Sequence, residues 1–432
     1  MKQKTKLSPR FLVALTVFSL MGQIAWVVEN MYFATMAQDI FSNSGRADLS
    51  YLITTLMVIF SAVVATATAI FAGGLSDRVG KRRPFIAYGY LLWGVTIMVF
   101  GFLPMRAEGA MLTLLAVLLV LFDCLMTLCG STANDAAFSA YVTDVTSEGN
   151  RGRVNGVLSA LPVFAVVIIF LVLGPLYSPQ NERNLLFFLV LGAIPMLAGL
   201  AALLLLRDAE GLVPSKGGRL LPELLYGFSR RTLRENRMLY VTLLASCLVG
   251  IAQQTFFSYL INFVVITLGY GDGFVIPMAV IIVGAAAVTG LAGLLTDRFG
   301  RRRFYYPLLA AASVGTLSMY LLQYLSGGAL SAVLYIGGVL MMGGLLALTG
   351  TLGAAFQDRI PKGCEGRFQG VRMCFTVLIP MIVGPIISLF IGLDAMGMNG
   401  EGFIPPYAMF LAGAIIAATA AVPLWFVRRD ER

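Results

Sequence analysis

Apolar residues in this chain come in long unbroken runs, set apart by short polar and basic segments. A helix needs about 20 predominantly apolar residues to cross a bilayer. Twelve runs are long enough: 11–37, 50–74, 85–104, 110–140, 155–177, 185–206, 238–267, 274–295, 304–325, 329–356, 371–392 and 405–427. The pattern predicts an all-α membrane protein with twelve transmembrane helices. The only long connection is 207–237, and it carries Arg207, Lys216, Arg219, Arg230, Arg231, Arg234 and Arg237. Its segment LLPELLYGFSRRTLREN has the composition of a helix lying on a membrane surface, and the simpler expectation is a cytoplasmic tether. The expected domains are two six-helix bundles, 1–206 and 238–432, joined by that linker.

The basic residues give an orientation. If the N-terminus is inside, 28 of the 31 Lys and Arg residues fall on the cytoplasmic side. Only Arg46, Arg106 and Arg183 fall outside. Cytoplasmic loops carry this excess in membrane proteins, so the partition supports both the helix count and an N-in, C-in topology. Composition agrees: 58% of the 432 residues are hydrophobic and 12% charged, with a mean hydropathy of +0.85. A soluble domain carries about 25% charged residues, too many to be matched here. The net charge of +9 thus reflects membrane topology, and no nucleic-acid partner is implied.

The chain has no histidine, which excludes a histidine-ligated metal, a Ser-His-Asp triad and a histidine proton switch. Its five cysteines, Cys124, Cys129, Cys247, Cys364 and Cys374, are scattered and imply no disulfide framework. No cofactor or metal is expected. The basic N-terminal segment is followed by an apolar run without a small-residue cleavage site, so the first run is expected to stay as a membrane helix.

The two halves repeat each other. GGLSDRVGKRRPF follows the second run and GLLTDRFGRRRF the eighth, placing Asp77 and Asp297 at equivalent positions. After the fourth run stands Asp144, followed by Gly152-Arg153-Val154-Asn155-Gly156; after the tenth stands Asp358, followed by Gly366-Arg367-Phe368-Gln369-Gly370. Two independent motifs at nearly one offset indicate a duplicated six-helix unit.

These loops carry a resemblance to the major facilitator superfamily, whose loop motif is Gly-x-Leu-(Ala)-Asp-Arg-x-Gly-Arg-Lys/Arg. Here it reads Gly73-Gly74-Leu75-Ser76-Asp77-Arg78-Val79-Gly80-Lys81-Arg82, and again Gly293-Leu294-Leu295-Thr296-Asp297-Arg298-Phe299-Gly300-Arg301-Arg302. The resemblance spans essentially the whole chain. It implies the major facilitator fold of two pseudo-symmetric bundles that rock about a central site, and a secondary transporter rather than an enzyme. Gating residues implied by it are Gly73, Asp77, Arg78, Gly80, Arg82, Asp144 and Arg153 in the first half. In the second half they are Asp297, Arg298, Gly300, Arg302, Asp358 and Arg367. Asp77 is expected to face the start of the eleventh helix and Asp297, by pseudo-symmetry, the fifth. A carboxylate is favoured at a helix N-terminus.

Charged groups inside a bilayer are costly and mark function by default. Glu29 in the first run, and Asp123 and Asp135 in the fourth, are the candidates; no basic residue lies in a run's core to neutralise them. Asp123 falls about 18 Å into the bilayer at 1.5 Å per residue. Asp123, Thr127, Ser131, Asn134 and Phe138 share one face of an ideal helix. The first run adds Gln23, Trp26, Asn30 and Phe33, and the seventh adds Gln253, Gln254, Phe257, Ser258 and Asn262. Amides, hydroxyls and rings suit a neutral polyhydroxylated ligand, although each amide alone could equally join helices.

The stretch from Gly130 to Phe138, with Ala140 to Asp144 and Arg151-Gly152-Arg153, resembles the bacterial glycoside–pentoside–hexuronide cation symporters and the sucrose-type transporters. The paired acids that melibiose-type members carry on the second helix are absent here, where Thr54, Thr55, Ser61, Thr66 and Thr68 stand instead. A proton is therefore the simpler coupling ion, through Glu29 or Asp123, with sodium the alternative. Together these features predict a monomeric, multi-pass carrier of a cytoplasmic membrane, importing a sugar or similar small polar solute. Drug–proton exporters are the competing class: their fifth-helix motif is Gly-x-x-x-Gly-Pro-x-x-Gly-Gly. Here Gly174-Pro175 is kept, but Phe170 and Ser178-Pro179 depart from it. Gly269-Tyr270-Gly271-Asp272 echoes intramembrane aspartyl proteases but lies in an outer loop without a second acid, and reads as a turn.

Overall fold

The computed structural model describes residues 9–146, 154, 158, 161–162, 164–166, 168–208, 226–361, 365–399 and 404–431. Among them every regular element is helical. The principal helices are α1 (Pro9–Asn43), α2 (Ser50–Val79), α3 (Arg83–Phe100), α4 (Gly109–Gly130), α5 (Ser139–Val145) and α6 (Leu185–Leu205). They continue as α7 (Arg237–Phe257), α8 (Val275–Phe299), α9 (Tyr305–Leu321), α10 (Gly327–Arg359), α11 (Ile379–Asn399) and α12 (Ala408–Thr419). Among the described residues, ten helical segments are long and apolar enough to span a bilayer, and they overlap ten of the twelve apolar runs. Of the other two, 11–37 lies within α1, and 155–177 is interrupted by positions outside the described residues.

Many large apolar side chains face outward, Leu204 at 83% exposure among them, with Phe71, Ile276 and Ile336. Water would reject such a surface; lipid accepts it, provided the backbone satisfies its own polar groups as helices do.

The chain divides into two compact units, Met1–Gly45 with Val63–Leu220, and Arg46–Ala62 with Leu221–Arg432. In the first, α3 packs along α6 and against α4, and α1 against α6. Its aromatic core includes Phe33 stacked on Phe100 at 4.2 Å and Phe100 on Phe188 at 5.9 Å. The loops after α1, after α3 and before α6 meet at one end: Asn43 Nδ2 donates to the carbonyls of Met105 (3.2 Å) and Pro179 (3.0 Å). At the other end Arg82 reaches Asp144, and Asp208 accepts from the backbone N–H of Arg82 and Arg83 at 2.7 and 2.8 Å. Alternate connections therefore lie at opposite ends, as the run count requires.

In the second unit α10 packs on α8 and α9, α7 on α11 and α12, and α9 on α12. Phe256, Phe263 and Phe410 form part of its core, with Phe263 4.7 Å from Phe410. The first turns of α2 pack here, where Tyr51 lies 4.9 Å from Tyr259 and Thr55 shares a 3.2 Å hydrogen bond with Tyr259.

Three departures from simple runs have physical content. First, each motif begins as helix: α2 continues through Asp77 to Val79 and α8 through Asp297 to Phe299, so only the second half of each motif is loop. Both stop at a glycine with positive φ, Gly80 at 67° and Gly300 at 83°, which L side chains avoid. Second, the seventh run is not one helix, because α7 ends at Phe257 and the chain resumes as Leu260–Asn262 and a wider π turn at Phe263–Thr267. Third, π turns at Ile169–Leu173 and Cys374–Leu378 precede Pro175 and Pro380. A proline clashes with the carbonyl four residues back, here Leu171 and Thr376, and widening the turn relieves it. In the linker, residues 209–225 lie outside the described residues. Its end forms a short helix, Arg230–Glu235, capped by Ser229, whose hydroxyl accepts from Thr232 N.

The α3–α6 seam is built on glycine. A β-carbon on Gly192 would stand 2.5 Å from the Gly94 carbonyl oxygen, and one on Gly94 would strike the Gly192 carbonyl in turn. Small residues allow this approach in membranes. Gly94→Val should overpack the seam by about 1–3 kcal/mol and lower the unfolding midpoint of the purified protein in detergent. Gly353→Ala, where nothing lies within 4 Å of the new carbon, should not. Equal midpoints for wild type and Gly94→Val would contradict this packing.

Candidate functional site

The intramembrane acids expected from the sequence gather within the first unit. Thr127, one turn beyond Asp123 on α4, donates its hydroxyl to Glu29 Oε1 on α1 at 2.9 Å. Asp123 is 2% exposed. Glu29 Oε2 and Asp123 Oδ1 are out of solvent reach and have no hydrogen-bond partner. Asp123 and, more weakly, Asp135 act electrostatically on Glu29, so three acidic groups share one neighbourhood. No ion pair of the described residues places an arginine or lysine on Glu29 or Asp123.

The fourth run then changes geometry. From Ser131 to Phe138 it is a π-helix, with hydrogen bonds spanning one more residue than in an α-helix, a feature frequent at functional sites. The predicted stripe assumed an α-helical period throughout, and the wider turn redirects its lower half. Ser131 Oγ donates to Asp135 Oδ2 at 3.0 Å, while Asn134 Oδ1 accepts from Tyr90 on α3 at 3.0 Å and its Nδ2 donates to Asp135 at 3.3 Å. Tyr90 also lies 3.2 Å from the Phe18 carbonyl on α1. Gly22 makes room, since a β-carbon there would stand 2.7 Å from the Tyr90 hydroxyl.

Helix α3 contributes residues that sequence reasoning passed over. Trp93 lies 5.0 Å from Trp26 and 5.6 Å from Tyr90, and its Nε1 is buried without a partner. The signal was present as Tyr90 and Trp93, three apart in the third run. Asp39 was also passed over; it accepts from Tyr177 at 2.8 Å. Gln23 is half-buried on α1, and the side chain of Asn30 lies outside the described residues.

In the second unit, taken by itself, Gln253 and Gln254 are half-buried at the end of α7, and Asn262 is 3% exposed beyond the break. Gln254 is covered by α11, where a β-carbon on Gly384 would stand 2.7 Å from its Cβ. Gly269 and Gly271 both have positive φ, as the turn reading of that segment requires.

The motif loops hold their helices through arginine–carboxylate pairs. Arg82 Nε lies 3.0 Å from Asp144 Oδ2, its Nη1 donates to Ser76 at 2.5 Å, and it is 6% exposed. In the second unit the partner of Asp358 is Arg301, the neighbour of the motif residue Arg302. Arg359 extends this layer to Asp430 at 3.1 Å and Glu431 at 3.3 Å, and Tyr305 donates to Glu431 at 2.8 Å. Arg298 stacks 5.3 Å from the Phe299 ring. Arg78 is half-buried, Arg302 is half-exposed, and a β-carbon on Gly73 would meet nothing within 4 Å. Arg153 lies outside the described residues, as do the side chains of Asp77, Asp297 and Arg367.

Membrane-length helices, a duplicated basic motif and buried acids with unbonded oxygens are the features of a membrane carrier. Residues 11–385 match the Major Facilitator Superfamily, and the chain belongs to that family. It is accordingly a multi-pass secondary transporter that works by alternating access, not an enzyme. Its fold is similar to a mutant of the nucleoside transporter NupG, with TM-score 0.71 and 12% identity over 96% of this chain and 99% of that one. It is similar to a bacterial homolog of the human lysosomal transporter Spinster, with TM-score 0.69 and 15% identity over 97% and 96%. It is also similar to the xylose transporter XylE from E. coli, with TM-score 0.66 and 12% identity over 96% and 97%. No curated protein matches the chain.

Arg82→Gln removes a charged partner of Asp144 and Ser76. Hydrogen bonds to charged groups are worth about 1.5–3 kcal/mol, less here because Asp144 is partly exposed. The variant should unfold earlier than wild type and should raise alkylation of a cysteine introduced at position 208. Unchanged labelling and stability would show that the pair holds nothing.

Proposed function

We propose that the protein is a proton-coupled symporter of a sugar or similar small polar solute in a cytoplasmic membrane, acting as a monomer. The observation that carries this reading is the Glu29–Thr127–Asp123 group. Two acids share one buried place, one oxygen of each lacks a partner, and no cation of the described residues is paired with them. Burial disfavours the charged form of a carboxylate and a like neighbour disfavours it further. A carboxylate that takes up a proton lets the loaded carrier reorient with less buried charge. Asp135, tied to Ser131 and Asn134, is proposed to relay that proton toward the motif end.

Gln23, Trp26, Asn30, Thr127 and Asn134 of the first unit, and Gln253, Gln254 and Asn262 of the second, are the proposed substrate contacts. Asn134 also has a structural duty through Tyr90. Similarity to carriers named for a nucleoside and for xylose agrees with a polyhydroxylated substrate. So does the resemblance to the glycoside–pentoside–hexuronide branch. Asp77 and Asp297, with the arginines beside them, are proposed to latch the cytoplasmic layer, N- and C-termini lying on that side. Export of small molecules is the alternative, favoured by Gly174-Pro175 where the exporter motif is kept.

In proteoliposomes with an imposed pH or sodium gradient, uptake of radiolabelled sugar should follow the pH gradient. Asp123→Asn should abolish accumulation against a gradient while retaining downhill exchange. Glu29→Gln should do the same or weaken binding. Full accumulation in both variants would remove these residues from coupling, and dependence on sodium alone would remove the proton.

A further inference from the structure

Arginine is scarce in the loops that the charge pattern assigns to the outer side. Of the three basic residues assigned there, Arg46 belongs to the second unit and is already occupied: its Nε and Nη2 donate to the two oxygens of Asp48, each at 3.0 Å. The other two, Arg106 and Arg183, line one cavity of 640 Å³ in the first unit, together with Asn43, Gln180, Asn181 and Glu182.

The walls of this cavity are fixed by bonds to backbone. Asn43 ties the loop after α1 to Met105 and Pro179. Met105 N donates to the Glu182 carbonyl at 3.0 Å, and Ala107 N to Ser44 Oγ at 3.0 Å. The charged tips are uncommitted by comparison. Neither Arg183 nor Glu182 enters an ion pair among the described residues. Arg106 meets Glu108 at 3.1 Å, but those side chains are 71% and 77% exposed, and such surface pairs contribute little. The Gln180 side-chain oxygen is held by Ser178 at 2.6 Å, leaving its amide hydrogens to donate.

We infer that this cavity binds a phosphate-type oxyanion, held by the guanidiniums of Arg106 and Arg183 and the amide of Gln180. Glu182 receives an ammonium or hydroxyl proton of the same ligand. Guanidinium forks match phosphate geometry and bind it more strongly than a neutral donor can. A lone carboxylate beside them would oppose a bare anion, so the ligand that fits best carries a proton donor near its phosphate. Two sources share this chemistry: a phospholipid headgroup at the membrane surface and a soluble phosphate ester. The site is independent of the transport reading, since it uses none of the coupling or substrate residues.

The test is thermal unfolding of the purified full chain in neutral detergent, where a ligand that binds the folded state raises the midpoint. The probes are dioctanoyl phosphatidylglycerol and, separately, glycerol phosphate, each against sodium chloride at matched ionic strength. At least one should raise the wild-type midpoint. Arg183→Gln should cut that rise by half or more, and Arg183→Gln with Arg106→Gln should remove it, without moving the ligand-free midpoint. A response to the lipid alone supports a headgroup site, and a response to glycerol phosphate alone a soluble ligand. Glu182→Gln should increase the response to inorganic phosphate, a readout that does not depend on the arginine variants folding. No rise with either probe, or equal rises in wild type and the double variant, would overturn the inference.

Discussion

Keeping acidic groups inside hydrocarbon is the constraint on which the first unit's site depends. An ionised carboxylate within a bilayer is expensive, yet this unit keeps Glu29 and Asp123 together without a basic partner among the described residues. A protein that only needed packing would place leucine there. Retaining two acids whose free oxygens face no donor makes sense where a mobile positive charge visits them.

The placement of that pair depends on departures from ideal helix geometry. The π-helix at Ser131–Phe138 separates the Asp123 end of the fourth span from Asp135 and turns Asn134 onto Tyr90 of α3. Close approach at Gly22 and along the Gly94–Gly192 seam brings α1, α3 and α6 near enough for one threonine on α4 to reach a glutamate on α1. At the motif end, arginine–carboxylate pairs on each repeat fasten the helix ends: Arg82 with Asp144 in one, Arg301 with Asp358 in the other. The same duplicated sequence thus yields two similar anchors, offset by one residue in which arginine is used.

The fold was largely legible in the sequence because apolar runs and basic loops are dictated by the bilayer itself, and ten runs reappear as membrane-length helices among the described residues, the seventh shortened. The intramembrane acids were equally legible, since Glu29, Asp123 and Asp135 stand out in apolar runs. What escaped was set by local geometry that no periodicity encodes. A π-helix has the composition of an α-helix, so the stripe ending in Asn134 and Phe138 was drawn with too tight a turn. The break after Phe257 leaves no proline to mark it. Tyr90 and Trp93 looked like ordinary span aromatics until their polar atoms were placed beside the acids' helices. Which arginine of Arg301–Arg303 would meet Asp358 was not encoded in the run.

The central claim is that a proton compensates the Glu29–Asp123 pair. Infrared spectroscopy of the purified carrier reads it directly through the stretching band of protonated carboxyl groups, compared between wild type, Glu29→Gln and Asp123→Asn at neutral pH. A band in the wild type that is lost or reduced in at least one variant is the expected result. A wild-type spectrum with no protonated carboxyl, or a band untouched by both substitutions, would contradict it.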